Sequence, residues 1–220
     1  MSGWIDLSHE IRSGMTVFPG DPGVRIEPAA TVAAHGFEVH SLHMGTHSGT
    51  HVDSPSHIIG EGRTIESIDL NELMGEAVVL HAGSVPPGTP IGLTHVGHQL
   101  EGGLAGARIV LIATGWDRYW GAEEYLDHPF LEPMLATRLL NLGARVIGVD
   151  TLSPDSTRDA ENGLPVHRTV LGDGGLIIEN LRKLDQLPSR VRFIGLPLRL
   201  TGMDGSPIRA VAEPICSAGE

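Results

Sequence analysis

Residues 133–150, PMLATRLLNLGARVIGVD, decide the fold class. Pro133–Leu142 reads as a helix, with Gly143 placed to cap it in the left-handed conformation that glycine adopts cheaply. Arg145–Asp150 then reads as a buried strand. Upstream, Ala107–Thr114 has the same apolar density and runs into the loop Gly115-Trp116-Asp117. Downstream, Leu176–Glu179 and Val191–Leu196 complete the strands of this half. Strand–helix–strand order places helices on a sheet, so the second half predicts an α/β layer. The first half is richer in strands. Trp4–Leu7, Val24–Val32, Phe37–Leu42 and Ala77–His81 have strand character. Thr16–Gly23 reads as a turn, 84–90 as a loop, and Ile68–Leu73 and Ile91–Glu101 as short helices. With no domain-sized repeat, low-complexity tract or linker, the expectation is one α/β domain over residues 1–220 with a mixed sheet.

Composition narrows the functional classes. A chain of 220 residues suits a single core, which serves up to roughly 250 residues. Hydrophobic residues at 40% and charged residues at 19% are those of a folded globule. Fifteen basic against 27 acidic residues leave a net charge of −12. Such a surface repels nucleic-acid phosphates and anionic membranes, so neither is an expected partner. No basic start precedes an apolar run at the N-terminus, and no apolar stretch approaches the ~20 residues of a membrane span, so the cytoplasm is expected. Cys216 is the single cysteine, which excludes a thiolate cage and leaves nitrogen and oxygen for any metal. It also sits near the chain end with no histidine nearby, a poor setting for a nucleophile. A Gly-x-Ser-x-Gly elbow is missing, and Gly172-Asp-Gly-Gly175 lacks the Lys and Ser/Thr of a phosphate loop and reads as a turn. Trp116–Trp120 is a polar-aromatic loop, better read as surface packing than as a pocket wall.

The twelve histidines are uneven, and one run stands out: His43-Met-Gly-Thr-His47-Ser-Gly-Thr-His51-Val-Asp53-Ser-Pro-Ser-His57. A helix would turn Asp53 away from His47 and His51. In an extended chain, residues of like parity share a face, and His47, His51, Asp53 and His57 are all odd-numbered. Two imidazoles and a carboxylate converging on one point suit zinc, manganese or iron. Three protein ligands leave a position for water, whose pKa a bound metal lowers to about 7. His57, just past Pro55, is then placed to move protons. His43 repeats the spacing but lacks the trailing Asp, Pro and His, which suits a structural or supporting role. A metal-binding protein without turnover is the competing class, although it has no need of His57.

The run His47–His57 has the form HxGTHxDxPxH. It is identified as the signature of the metal-dependent cyclase family, which includes bacterial kynurenine formamidases (arylformamidases) and isatin hydrolases. The resemblance extends along the chain through Trp4-Ile-Asp-Leu-Ser, Val17-Phe-Pro-Gly-Asp21, Val146-Ile-Gly-Val-Asp150-Thr151, Ile194–Leu200 and Asp204-Gly-Ser-Pro-Ile-Arg-Ala210. It implies a swivelling β/β/α fold. It also implies a divalent metal, Zn2+ or Mn2+, two per subunit: one held by His47, His51 and Asp53, the second bridged by Asp53 and held by His167 and Glu179. His57 would be the catalytic acid–base. Phe18 would wall the substrate pocket, in its own or a neighbouring subunit of a homodimer or homotetramer.

The chemistry so implied is hydrolysis of a small aromatic amide, foremost N-formyl-L-kynurenine to kynurenine and formate. Opening of isatin or another lactam uses the same groups. A cyclase or dehydratase of secondary metabolism is the third expectation.

Overall fold

The computed structural model describes residues 3–158 and 163–215, so Cys216 lies outside the described residues. Among the described residues twelve strands and four α-helices follow in order: β1 Ile5–Asp6, β2 Arg25–Ala30, α1 Val32–His35, β3 Val39–His43, β4 His51–Asp53, β5 Met74–His81, β6 Pro90–Ile91, α2 Leu93–Val96, β7 Ile109–Ala113, β8 Phe130–Leu131, α3 Pro133–Asn141, β9 Val146–Val149, α4 Pro165–Gly172, β10 Leu176–Glu179, β11 Arg190–Pro197 and β12 Gly205–Pro214. Eight strands form one mixed sheet in the order β1-β12-β11-β5-β7-β9-β10-β4. A further pairing between β12 and β4 closes it into a barrel-like ring. Within it β5, β7, β9 and β10 run parallel, while β11, β12, β1 and β4 pair antiparallel.

Period-two alternation explains why the parallel strands read as continuous apolar runs. Successive side chains point to opposite faces of a sheet, and here both faces are covered. Ala77, Val79, Ile109, Leu111, Val146, Leu176 and Ile178 point into the ring, around Phe193 and Val52. Their neighbours Val78, Leu80, Val110, Ile112, Ile147 and Ile177 point outward against Leu135 and Leu139 of α3 and Val166 and Val170 of α4. Gly148 belongs to the inner face: a Cβ there would meet Leu111 Cδ2 at 2.7 Å and Leu181 Cδ1 at 2.8 Å.

The α/β class and mixed sheet match the sequence reading, and Gly143 follows α3 with φ +101°. Several local readings need correction. Ile68–Leu73 is not a helix: two 3-10 turns at Ile65–Ser67 and Leu70–Glu72 meet at a capping box centred on Asp69. Ile91–Glu101 begins as β6 and continues as α2 and a 3-10 turn at Gly97–Leu100. The two early strand readings hold, and β2 and β3 pair with each other in a two-stranded sheet of their own. The longest strand, β12, is an addition to the strands read from the sequence, and it carries Pro207 and Pro214, which donate nothing to a ladder. Pro207 sits opposite His51, in the short stretch where β12 pairs with β4. Among the described residues, no helix is long and apolar enough to cross a membrane.

Candidate metal centre

The closure of the ring creates the site. β4 is inserted between β10 and β12, with His51 opposite Glu179 and Asp53 opposite both Ile177 and Gly205. The shared face expected of an extended chain holds for His51 and Asp53 only. His47 lies in a turn, Gly49 adopts φ +65°, and His57 ends the 3-10 turn Pro55–His57. Two bends therefore bring the outer histidines to the same point that parity alone was expected to reach. His167 comes from α4, and Glu179 from the C-terminal end of β10. His43 ends β3 opposite Arg25 and faces solvent, so the supporting role expected of it is not seen within this chain.

Among the described residues three ligand-type triads result: His47–His51–Asp53 and Asp53–His167–Glu179, which share Asp53, and the less buried His47–His57–Asp204. His47 Nδ1 lies 2.7 Å from Asp53 Oδ1, and His51 Nε2 lies 3.2 Å from the same oxygen. His51 Nε2 is 3.3 Å from Glu179 Oε2, and His167 Nε2 is 3.2 Å from Glu179 Oε1 and 3.6 Å from Asp53 Oδ2. Ligands about 2.1 Å from a shared zinc stand ~3.4 Å apart in a tetrahedron; the spacings of 3.2, 3.3 and 3.6 Å fit, whereas the 2.7 Å between His47 and Asp53 is that of a hydrogen bond. His51 Nε2, Asp53 Oδ2 and Glu179 Oε1 are buried without a hydrogen-bond partner. Unsatisfied buried polar atoms are costly, and three on one centre are accounted for by a cation.

The outer nitrogen of each histidine is occupied. His47 Nε2 meets Asp204 Oδ2 at 2.9 Å, His51 Nδ1 meets the Gly49 carbonyl at 2.8 Å, and His167 Nδ1 meets Asp155 Oδ2 at 2.7 Å. Such outer acceptors fix the ring orientation, so that the other nitrogen of each ring faces inward and would offer its lone pair to a metal. Asp155 also accepts from the backbone N–H groups of Val166 and His167 at the start of α4, anchoring ring and helix together.

The field of the site calls for positive charge. Burial opposes protonation of His47, yet Asp53 and Asp204 outweigh it and raise its pKa to about 9. Burial is likewise outweighed at His51, which Asp53 and Glu179 raise to about 10. Burial pushes Asp53 upward, but His51 and His47 hold it well below the ordinary carboxylate value. A metal takes the place of those imidazole protons when it binds.

A cavity of about 200 Å³ opens over the triads. Val17, Phe18, Leu152 and Leu164 give it an apolar lining, and His57 lines the same cavity with its ring 4.1 Å from that of His47 and 5.7 Å from that of His167. Phe18 reaches this cavity within its own chain and also packs on the cluster of Trp116, Tyr125 and Leu152. Trp116 is buried there, as the packing reading of its loop expected. Asp155, Asp204 and Gly205 carried no assigned role in the sequence.

The family model Cyclase matches residues 5–156. The chain is 33% identical to the kynurenine formamidase of Geobacillus thermodenitrificans over 212 residues, 96% of this chain and 97% of that one. In fold it resembles isatin hydrolase A from Labrenzia aggregata, with a TM-score of 0.86 at 24% identity over 96% of this chain and 93% of that one. A solved structure of a predicted metal-dependent hydrolase from Bacillus stearothermophilus has a TM-score of 0.77 at 26% identity, covering 96% and 98%. The histidine-rich run, the closed mixed sheet and this full-length likeness lead to one conclusion: the chain belongs to the metal-dependent cyclase family, together with bacterial kynurenine formamidases.

Proposed function

We propose that the protein is a metal-dependent amide hydrolase acting on carbon–nitrogen bonds other than peptide bonds, and specifically an arylformamidase that converts N-formyl-L-kynurenine to kynurenine and formate. The observation that carries the reading is the pair of triads sharing buried Asp53, with His57 and the apolar Val17, Phe18, Leu152 and Leu164 lining the same cavity. The full-length likeness to kynurenine formamidases supports the substrate class. His47, His51 and Asp53 hold one divalent metal; Asp53, His167 and Glu179 hold a second. Zinc and manganese both suit these ligands. When bound, the metal supplies Lewis-acid polarisation of the formyl carbonyl and lowers the pKa of water. His57 accepts the proton of the attacking water at Nε2 and returns it to the departing aniline nitrogen. Phe18, Val17, Leu152 and Leu164 receive the aromatic ring and keep bulk water from it. The reading extends to a cytoplasmic homodimer or homotetramer.

The test is hydrolysis of N-formyl-L-kynurenine by chelator-stripped protein titrated with Zn2+ or Mn2+. Turnover restored by metal, at the 1–10³ s⁻¹ order usual for an enzyme on its own substrate, is the expected result. A fully loaded protein that leaves N-formyl-L-kynurenine intact overturns the arylformamidase reading. Isatin in the same assay separates lactam opening from loss of all hydrolysis.

A further inference from the structure

Asp204 stands outside the two triads that share Asp53 and groups instead with His47, a histidine of the first, and with His57. Its backbone is tied to the segment that carries His57: the Asp204 carbonyl accepts from Ser54 N–H and from Ser54 Oγ, each at 2.9 Å. Thr46 Oγ1 donates to Oδ1 at 3.1 Å. Oδ2 then meets two imidazoles, His47 through Nε2 at 2.9 Å and His57 through Nδ1 at 3.1 Å. An ionised carboxylate only accepts, so both ring nitrogens donate to it. On His47 this leaves Nδ1, 2.7 Å from Asp53 Oδ1, as the nitrogen that a metal would take. On His57 it leaves the lone pair on Nε2.

We propose that Asp204 is the positioning residue for His57, holding it in the Nδ1–H tautomer with Nε2 as the proton-transfer atom. By sharing Oδ2 it also ties the orientation of that ring to the ligand His47. Asp155 has the corresponding place beside His167, but its other oxygen contacts serve the start of α4. Among the described residues, Asp204 alone hydrogen-bonds both His47 and His57. The proposal rests on the hydrolase reading for its kinetic consequence and on geometry for its tautomeric one.

The test uses full-length metal-loaded protein and four variants: Asp204→Ala, Asp204→Asn, His57→Ala and the double variant Asp204→Ala/His57→Ala. Thermal melts check that each folds. Asn keeps one oxygen acceptor, so kcat should fall in the order wild type, Asn, Ala. For Asp204→Ala the expected loss is about 10- to 100-fold, with KM changed less than about threefold, the scale of losing an outer-shell partner. In the His57→Ala background the same substitution should cost less than about threefold, because its effect passes through His57. A loss that persists undiminished in that background, or an unchanged kcat in Asp204→Ala, overturns the proposal.

A second readout does not depend on the substrate. In 15N spectra of zinc-loaded protein, with the His57 signal identified by its absence from His57→Ala, the wild type should show Nδ1 protonated and Nε2 bare. Asp204→Ala should lose that preference. A wild-type His57 protonated at Nε2 overturns the proposal whatever the enzyme hydrolyses.

Discussion

Gly205→Ala probes the centre through a residue with no chemistry of its own. Gly205 opens β12 opposite Asp53 and lies against the His47 ring. A Cβ built there would stand 2.6 Å from His47 Cε1 and 3.0 Å from each ring nitrogen. Its backbone lies outside the left-handed region, so the obstacle is the ring alone. Ordinary contact begins at 3.4 Å, so the ring must retreat by 3.4 − 2.6 = 0.8 Å. It has little freedom to do so, pinned by Asp53 at 2.7 Å and Asp204 at 2.9 Å with the His57 ring 4.1 Å away. Overpacking of this kind costs about 1–3 kcal/mol. Displacing a positioned group by about 1 Å costs catalysis on the order of 10²-fold. The variant should fold, bind zinc about 10- to 100-fold more weakly in competition with a chromophoric chelator, and lose a similar factor in kcat at matched occupancy. Wild-type metal affinity together with wild-type turnover would refute the reasoning, since His47 could not then be a ligand held in that position.

Three further perturbations separate the roles of neighbouring groups. His57→Ala should retain its metal, measured by elemental analysis, while kcat falls about 10²- to 10⁴-fold; loss of metal along with activity would make His57 a ligand instead. Phe18→Ala should raise KM for an aromatic amide and leave kcat nearly intact, the pattern of lost uniform binding, and an unchanged KM would remove Phe18 from the pocket wall. Burial pushes Asp150 up to about 7, against the hydrogen bonds it accepts from Thr114 and Gly115. A carboxyl raised on folding contributes stability that is present in full below about pH 4 and is lost as pH rises through about 7. Asp150→Asn should therefore flatten the dependence of the urea midpoint on pH between 4 and 7 relative to wild type. An identical slope in both proteins would mean that Asp150 is ionised throughout.

The sequence by itself determined the α/β class, because apolar strands alternating with a helix can be buried only in layers. It also determined the donor set: with a single cysteine and a run of four histidines and one aspartate, any metal must be held by nitrogen and oxygen. His47, His51 and Asp53 come together within seven residues, so local spacing sufficed to group them. His167 and Glu179 were reached only through the resemblance. Nothing in their own neighbourhoods separates them from surface residues, and only the antiparallel pairing of β10 with β4 puts Glu179 opposite His51. The tertiary structure also decided that parity was not the device that joins His47 and His57 to the cluster, since bends at Gly49 and Pro55 do so. It alone brought Asp204 and Gly205 to the centre from 150 residues away, through the β12–β4 pairing that closes the ring. Strand closure is a long-range event, and its register depends on how the whole inner core packs. No local pattern encodes which residue of β12 will face His47.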